Sequence, residues 1–173
     1  MNATDGLAQV NTLATHYAFT VWNGASDFLI ILILFGALFL VSWYYNYGQL
    51  VAIQLAFYAA YAIYVVFPYT SSLPSAPATT SLWAHVGLYA AFSIVLYIIL
   101  RRVIVSDFLY ISLIGVVALS FLGAAFLLAL AYHTFGVTEV YRFTPAVDLL
   151  FAAKSYFWWW FVAPAIGLFF LAR

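Results

Sequence analysis

The sequence predicts an all-α membrane protein, a polytopic bundle of about five transmembrane helices with a short amphipathic helix before them. Two observations carry this prediction. Hydrophobic residues make up 68% of the 173 positions and charged residues only 6%, whereas soluble domains have about 25% charged residues. The charged residues are also widely spaced, because residues 28–100, 108–138 and 155–172 contain none. Each run is long enough for at least one transmembrane helix of about 20 residues.

The same composition excludes several classes of protein. Five basic and five acidic residues give a net charge of zero, so the chain lacks the basic surface that a nucleic-acid-binding protein needs. Disordered chains combine low hydrophobicity with high charge, which is the opposite of this pattern. The chain has no cysteine, which excludes disulfides, thiolate metal sites and cysteine nucleophiles.

Residues 1–27 form an N-terminal segment before the first span. Apolar residues recur there at helical spacing, at Leu7, Val10, Tyr17 and Val21. This spacing predicts an amphipathic helix over 5–22 that lies in the membrane interface. A poorly ordered tail and a docking surface for a partner are the alternatives.

Two breaks divide the long uncharged run. The first is the short polar turn Asn46–Gln49, and the second is residues 68–81, with three prolines and seven serines or threonines. Residues 28–173 are therefore predicted to be a single transmembrane domain with spans at about 28–45, 50–67, 83–101, 108–132 and 150–171. Pro164 is expected to kink the last of them.

Basic residues set the expected orientation. Arg101 and Arg102 lie between the third and fourth spans, and Arg173 ends the fifth. Since basic loops stay in the cytoplasm, we expect the C-terminus inside and the N-terminus outside, and Arg142 and Lys154 on the outer side oppose this orientation weakly. The expected location is the inner membrane of a bacterium, where the lipid bilayer would surround the helices.

His85 and His133 are the candidate cofactor ligands. They end neighbouring predicted spans on the same side, and two imidazoles can bind a haem iron. Interfacial histidines that only face water are the competing interpretation. No acidic or cysteine residue lies near them in a metal-binding pattern, so no metal site is expected.

Small residues recur at helix-packing spacing. Such faces let two helices approach closely, either within the bundle or between copies of the chain. The predicted helix-packing positions are Ala52, Ala56 and Ala60 in the second span, Gly87 and Ala91 in the third, Gly115 and Gly123 in the fourth, and Ala163 and Gly167 in the fifth.

The spans lack ionisable residues near their centres, which argues against coupled transport. The sequence has no recognisable catalytic nucleophile with a partner base, and it has no glycine-rich loop of the kind that binds phosphate. We therefore expect neither enzyme activity nor a bound cofactor. The favoured function is that of a structural or accessory component that packs into a homo-oligomer or onto other membrane proteins. The alternatives are an oligomeric pore for small neutral solutes and a haem- or quinone-binding respiratory subunit.

Part of the chain resembles the colicin V production protein family. The likeness consists of Asp27 followed by the apolar span from Phe28 to Leu34, the hairpin with Gly48, the basic exit of the segment from Phe92 to Asp107, and the spaced Gly115 and Gly123. That family has four spans where five are predicted here. The resemblance implies a small inner-membrane protein for toxin export or envelope maintenance, with no catalytic residues to carry over.

Overall fold

The structure is a computed structural model that describes residues 24–44, 47–103 and 112–171. Every regular element in this part of the chain is helical. The α-helices are α1 (Gly24–Tyr44), α2 (Tyr47–Val66), α3 (Ala78–Val103), α4 (Leu113–His133), α5 (Pro145–Phe151) and α6 (Lys154–Leu171). Short 3-10 helices occupy Thr70–Ser72 and Val137–Glu139. The amphipathic helix predicted over 5–22 lies outside the described residues.

Four of these helices, α1 to α4, are long and apolar enough to cross a membrane, and the bent pair of α5 and α6 makes a fifth if it counts as one span. This confirms the predicted fold class. Helix α3 begins five residues before the predicted span, within the proline-rich segment. Helix α4 begins at Leu113, where the Ser112 side chain accepts a hydrogen bond from the amide of Gly115 at 3.2 Å and so caps the helix.

The fifth span differs from the single helix predicted over 150–171. Helices α5 and α6 meet at a 73° bend. The last carbonyls of α5 lack partners inside the helix, as at any helix end. Here the Trp160 indole donates to the carbonyl of Leu150 at 2.9 Å, and His133 bonds to that of Phe151 at 2.8 Å. These two donors therefore satisfy the last two carbonyls of α5.

The interior of the bundle is formed mainly by α4. In its most apolar stretch 61% of the residues are buried, compared with 39% for α2 and 11% for both α1 and α3. Helix α4 packs mainly against α6, and α2 packs mainly against α3. Consequently α1 and α3 are peripheral helices with wide apolar faces turned away from the bundle.

Polar side chains join α2 to three other helices. Gln54 donates to the carbonyl of Leu119 in α4 at 2.6 Å, and Tyr58 donates to that of Phe161 in α6 at 2.5 Å. Toward α3, the Tyr89 hydroxyl donates to the Phe57 carbonyl at 3.1 Å, and Tyr97 donates to Gln49. In an apolar surrounding such bonds fix which helices are neighbours and in what register.

Candidate functional site

Two aspartates and two arginines distinguish the two ends of the bundle, and Arg142 and Lys154 also lie at the end with the aspartates. Asp27 in the first turn of α1 and Asp148 in α5 lie at one end, which we call the aspartate end. Arg101 and Arg102 lie in the last turn of α3 at the other, which we call the arginine end. The predicted spans agree with this arrangement, since the charged residues lie near the ends of the helices and not at their centres.

Asp27 is the most strongly bonded polar side chain of the aspartate end, although its position before an apolar run gave no sign of this. It is buried, with 2% of its surface exposed. One carboxylate oxygen accepts from the Tyr141 hydroxyl at 2.9 Å. The other accepts from the amide and the hydroxyl of Thr144 at 2.6 and 2.7 Å. The carboxylate therefore fixes α1 to the segment that precedes α5.

A second carboxylate makes a parallel link. The Tyr132 hydroxyl at the end of α4 donates to Asp148 of α5 at 2.7 Å. Partial burial raises the pKa of Tyr141, and its hydrogen bond to Asp27 raises it further. The phenol of Tyr141 thus remains a donor throughout the neutral range. The two aspartates hold the segment between α4 and α6 onto the bundle.

An apolar cluster lies beside these bonds. Phe143 and Phe151 from the segment are buried with Ala125, Leu128 and Ala129 of α4. The rings of Tyr132 and Phe143 lie 5.0 Å apart, and Phe151 stacks on Trp160 at 5.0 Å. Apolar contact and hydrogen bonding therefore hold this segment in the same place.

His85 and His133 both lie toward the aspartate end, and each is bonded to a backbone carbonyl. Nδ1 of His85 bonds to Ser81 one turn earlier at 2.8 Å. Nε2 of His133 bonds to Phe151, as described above. Because a carbonyl only accepts, the ring nitrogen in each bond carries the proton. One nitrogen of each imidazole is left for another ligand, and the proposed haem-binding role stays a prediction.

The two imidazoles pack against different aromatic partners. The His85 ring lies 6.3 Å from Tyr64, while the His133 ring lies 4.9 Å from Phe157. Within the described ranges, no three histidine, aspartate or glutamate side chains come close enough to hold a metal ion. The contacts of both histidines are thus those of residues that support helix packing.

Three polar side chains are almost fully buried inside the bundle. Ser42 of α1 and Ser120 of α4 are buried, as is Gln54 of α2. The two hydroxyls and the Gln54 carbonyl oxygen make no hydrogen bond to the described residues. The Gln54 amide, by contrast, bonds across to α4.

Most of the predicted small-residue positions lie at contacts between helices. Ala52, Ala56 and Ala60 of α2 are buried, as are Gly115 and Gly123 of α4 and Gly167 of α6, while Ala163 is half-buried. A Cβ at Gly123 would lie 2.9 Å from both Gln54 and Leu38, and one at Gly167 would lie 2.7 Å from Leu122. These two glycines therefore mark close approaches of α4 to its neighbours.

The two small residues of α3 have a different environment. Gly87 and Ala91 are both exposed, and a Cβ at Gly87 would meet no described atom within 4 Å. They lie one helical turn apart on a face that continues through exposed Trp83, Ile94 and Ile98. We call this surface, formed by residues 83, 87, 91, 94 and 98, the outer face of α3.

Comparisons with protein-family models, with curated proteins and with solved structures found no match. The resemblance to the colicin V production protein family thus stays a prediction, and function must be inferred from the geometry of the bundle.

Proposed function

We propose that this protein is a non-catalytic membrane component that acts by associating laterally with a second copy of itself through the outer face of α3. The observation that carries the proposal is the pair Gly87 and Ala91, which lies exposed at the middle of a long apolar helix. Small residues at this spacing allow two helix backbones to approach closely in a membrane, where dispersion contacts drive association. The other small-residue faces are already occupied by contacts inside the bundle.

The bonding of the polar residues supports a structural role. Asp27, Asp148, His133 and Gln54 each join two separate elements of the bundle. A catalytic or transport site would leave convergent polar groups facing a cavity that a substrate can enter. In this bundle the same groups are committed to holding helices together.

The orientation is part of the proposal. Arg101 and Arg102 in the last turn of α3 favour the cytoplasmic side, because positively charged segments are retained there during insertion. We infer that the arginine end faces the cytoplasm of a bacterial cell and that the aspartate end faces outward. Accessibility of introduced cysteines to a membrane-impermeant reagent measures this directly.

Cysteine crosslinking tests the proposed contact, and the absence of native cysteine makes each introduced thiol unique. Ala91→Cys places a thiol on the outer face of α3. Ala37→Cys places one at a similar depth on exposed α1 and serves as the matched control. Because the proposed partner lies against α3, oxidation in the native membrane should give a disulfide dimer from Ala91→Cys and much less from Ala37→Cys.

Dilution of the membrane with added lipid separates specific association from random collision. We expect the Ala91→Cys dimer to persist on dilution. We expect it to disappear when the same chain also carries the substitution Gly87→Leu. Equal crosslinking at the two positions, or none at Ala91→Cys, would contradict it.

A further inference from the structure

A groove opens on the bundle at the arginine end, between α1, α2 and α3. Its volume is about 330 Å³, within the range of small-ligand sites. Its walls are apolar, and the side chain of Arg101 lies at the end of the groove nearest the end of α3. The lining residues are Val41 of α1, Ile53, Ala56 and Phe57 of α2, and Ser93, Ile94, Tyr97 and Arg101 of α3.

The position of Arg101 along α3 sets its depth in the membrane. A helix of 26 residues is about 39 Å long, which exceeds the hydrocarbon thickness of about 30 Å. Arg101 lies two residues before the end of this helix, so its guanidinium reaches the level of the lipid headgroups. Ile53, Phe57 and Ile94 lie deeper, at the level of the acyl chains.

The charges around the groove favour an anionic ligand. Arg101 is exposed, and Arg102 follows it in the last turn. The carboxylates of the described residues, Asp27, Glu139 and Asp148, belong to the opposite end of the bundle. The neighbouring polar groups in the groove already have acceptors, since Tyr97 donates to Gln49 and Ser93 donates to the Tyr89 carbonyl. Among the described residues that line the groove, Arg101 is therefore the donor that remains available to a ligand.

We propose that this groove binds an anionic glycerophospholipid, with the phosphate on Arg101 and one acyl chain along the apolar wall of α2 and α3. A guanidinium is planar and offers several N–H donors, which match the oxygens of a phosphate. Basic pockets between transmembrane helices are a known setting for such headgroups. The groove is complete within one chain, although Ile94 belongs both to its lining and to the outer face of α3.

Two other grooves on the bundle lack this pairing of charge and apolar wall. One lies between α1 and α4 and is lined by Phe28, Phe35 and Phe121 with aliphatic residues. The other lies near the bend between α5 and α6, beside Trp159 and Trp160. Neither has a charged residue in its lining, so neither distinguishes one lipid from another.

Native mass spectrometry of the full-length protein, purified and delipidated in detergent, tests the proposal on the monomer peak. The probes are phosphatidylglycerol, phosphatidylcholine and inorganic phosphate. Phosphatidylglycerol should bind more tightly than phosphatidylcholine, and Arg101→Gln should weaken phosphatidylglycerol binding about fivefold, the effect of one basic residue near an anionic headgroup. Arg102→Gln is the matched control, because Arg102 does not line the groove; it should change binding less than twofold.

A second pair of variants tests the apolar part of the site. Ile53→Trp fills the groove from α2 and should weaken binding of both lipids, whereas Ile63→Trp, on an exposed part of the same helix away from the groove, should not. Equal binding of the two lipids, equal losses in Arg101→Gln and Arg102→Gln, or full lipid binding by Ile53→Trp would each overturn the proposal. If an equal concentration of inorganic phosphate displaced phosphatidylglycerol, the ligand would be free phosphate and not a phospholipid.

Discussion

A carboxylate buried in the first turn of a membrane helix is stable only when protein donors replace the water that it has lost. Asp27 meets this condition, because Tyr141 and Thr144 supply three hydrogen bonds to its two oxygens. These donors come from more than 110 residues later in the chain. Asp27 therefore connects the beginning of the first described helix to the segment before the last two.

Asp27→Asn should lower the free energy of unfolding by about 2–3 kcal/mol, the cost of losing hydrogen bonds to a buried charged group. The amide oxygen can still accept from Thr144, but the amide NH2 would face Tyr141, so the bond that the Tyr141 hydroxyl donates is lost and the Thr144 bonds no longer have a charged acceptor. Thermal unfolding of the detergent-solubilised protein measures the change. Glu139→Gln is the control, because Glu139 is exposed at the same end; a loss as large in this variant would show that charge alone, rather than the bonds of Asp27, is responsible.

Individual residues were the part of this protein that the sequence predicted least well. Asp27 marked the start of an apolar run and carried no pattern that pointed to Tyr141 or Thr144. The carbonyl partner of His133 depends on the bend between α5 and α6, whereas that of His85 lies one turn earlier in its own helix. Gln54 was predictable, since an amide within an uncharged span must find a partner in a neighbouring helix.

At the scale of elements, the hydropathy pattern predicts the helices because each must satisfy its own backbone hydrogen bonds inside the membrane. Their ends follow from local signals where these exist, as at Ser112. The break between α5 and α6 had no such signal, because Ala152 and Ala153 favour helix formation. Tertiary donors, Trp160 and His133, stabilise that break, and a single sequence does not reveal them.

The contacts of Gly123 predict a difference between glycines that look alike in the sequence. Gly123→Leu should destabilise the bundle by about 1–3 kcal/mol through overpacking, because a Cβ there would already lie 2.9 Å from Gln54 and Leu38. Gly36→Leu in α1 should have little effect, since a Cβ at Gly36 meets nothing within 4 Å. Unfolding of both variants in a mixed detergent titration provides the comparison, and equal losses would refute the assigned contact of α4 with α1 and α2.

At the scale of the whole molecule, the sequence predicted the class of fold but not which faces meet. Gly87 and Gly123 were equivalent as small residues within apolar spans, yet one is exposed and the other buried. The difference arises because α4 is enclosed by its neighbours while α3 lies at the edge of the bundle. That arrangement leaves the outer face of α3 uncovered, and the proposed self-association depends on it.

Counting subunits in a bilayer tests the proposed self-association through α3 most directly. The fluorescently labelled full-length protein is reconstituted at high lipid-to-protein ratio, and its photobleaching steps are counted. We expect mostly two-step particles for the unmodified protein and for Gly36→Leu, and mostly one-step particles for Gly87→Leu. One-step particles for the unmodified protein, or two-step particles that survive Gly87→Leu unchanged, would contradict it.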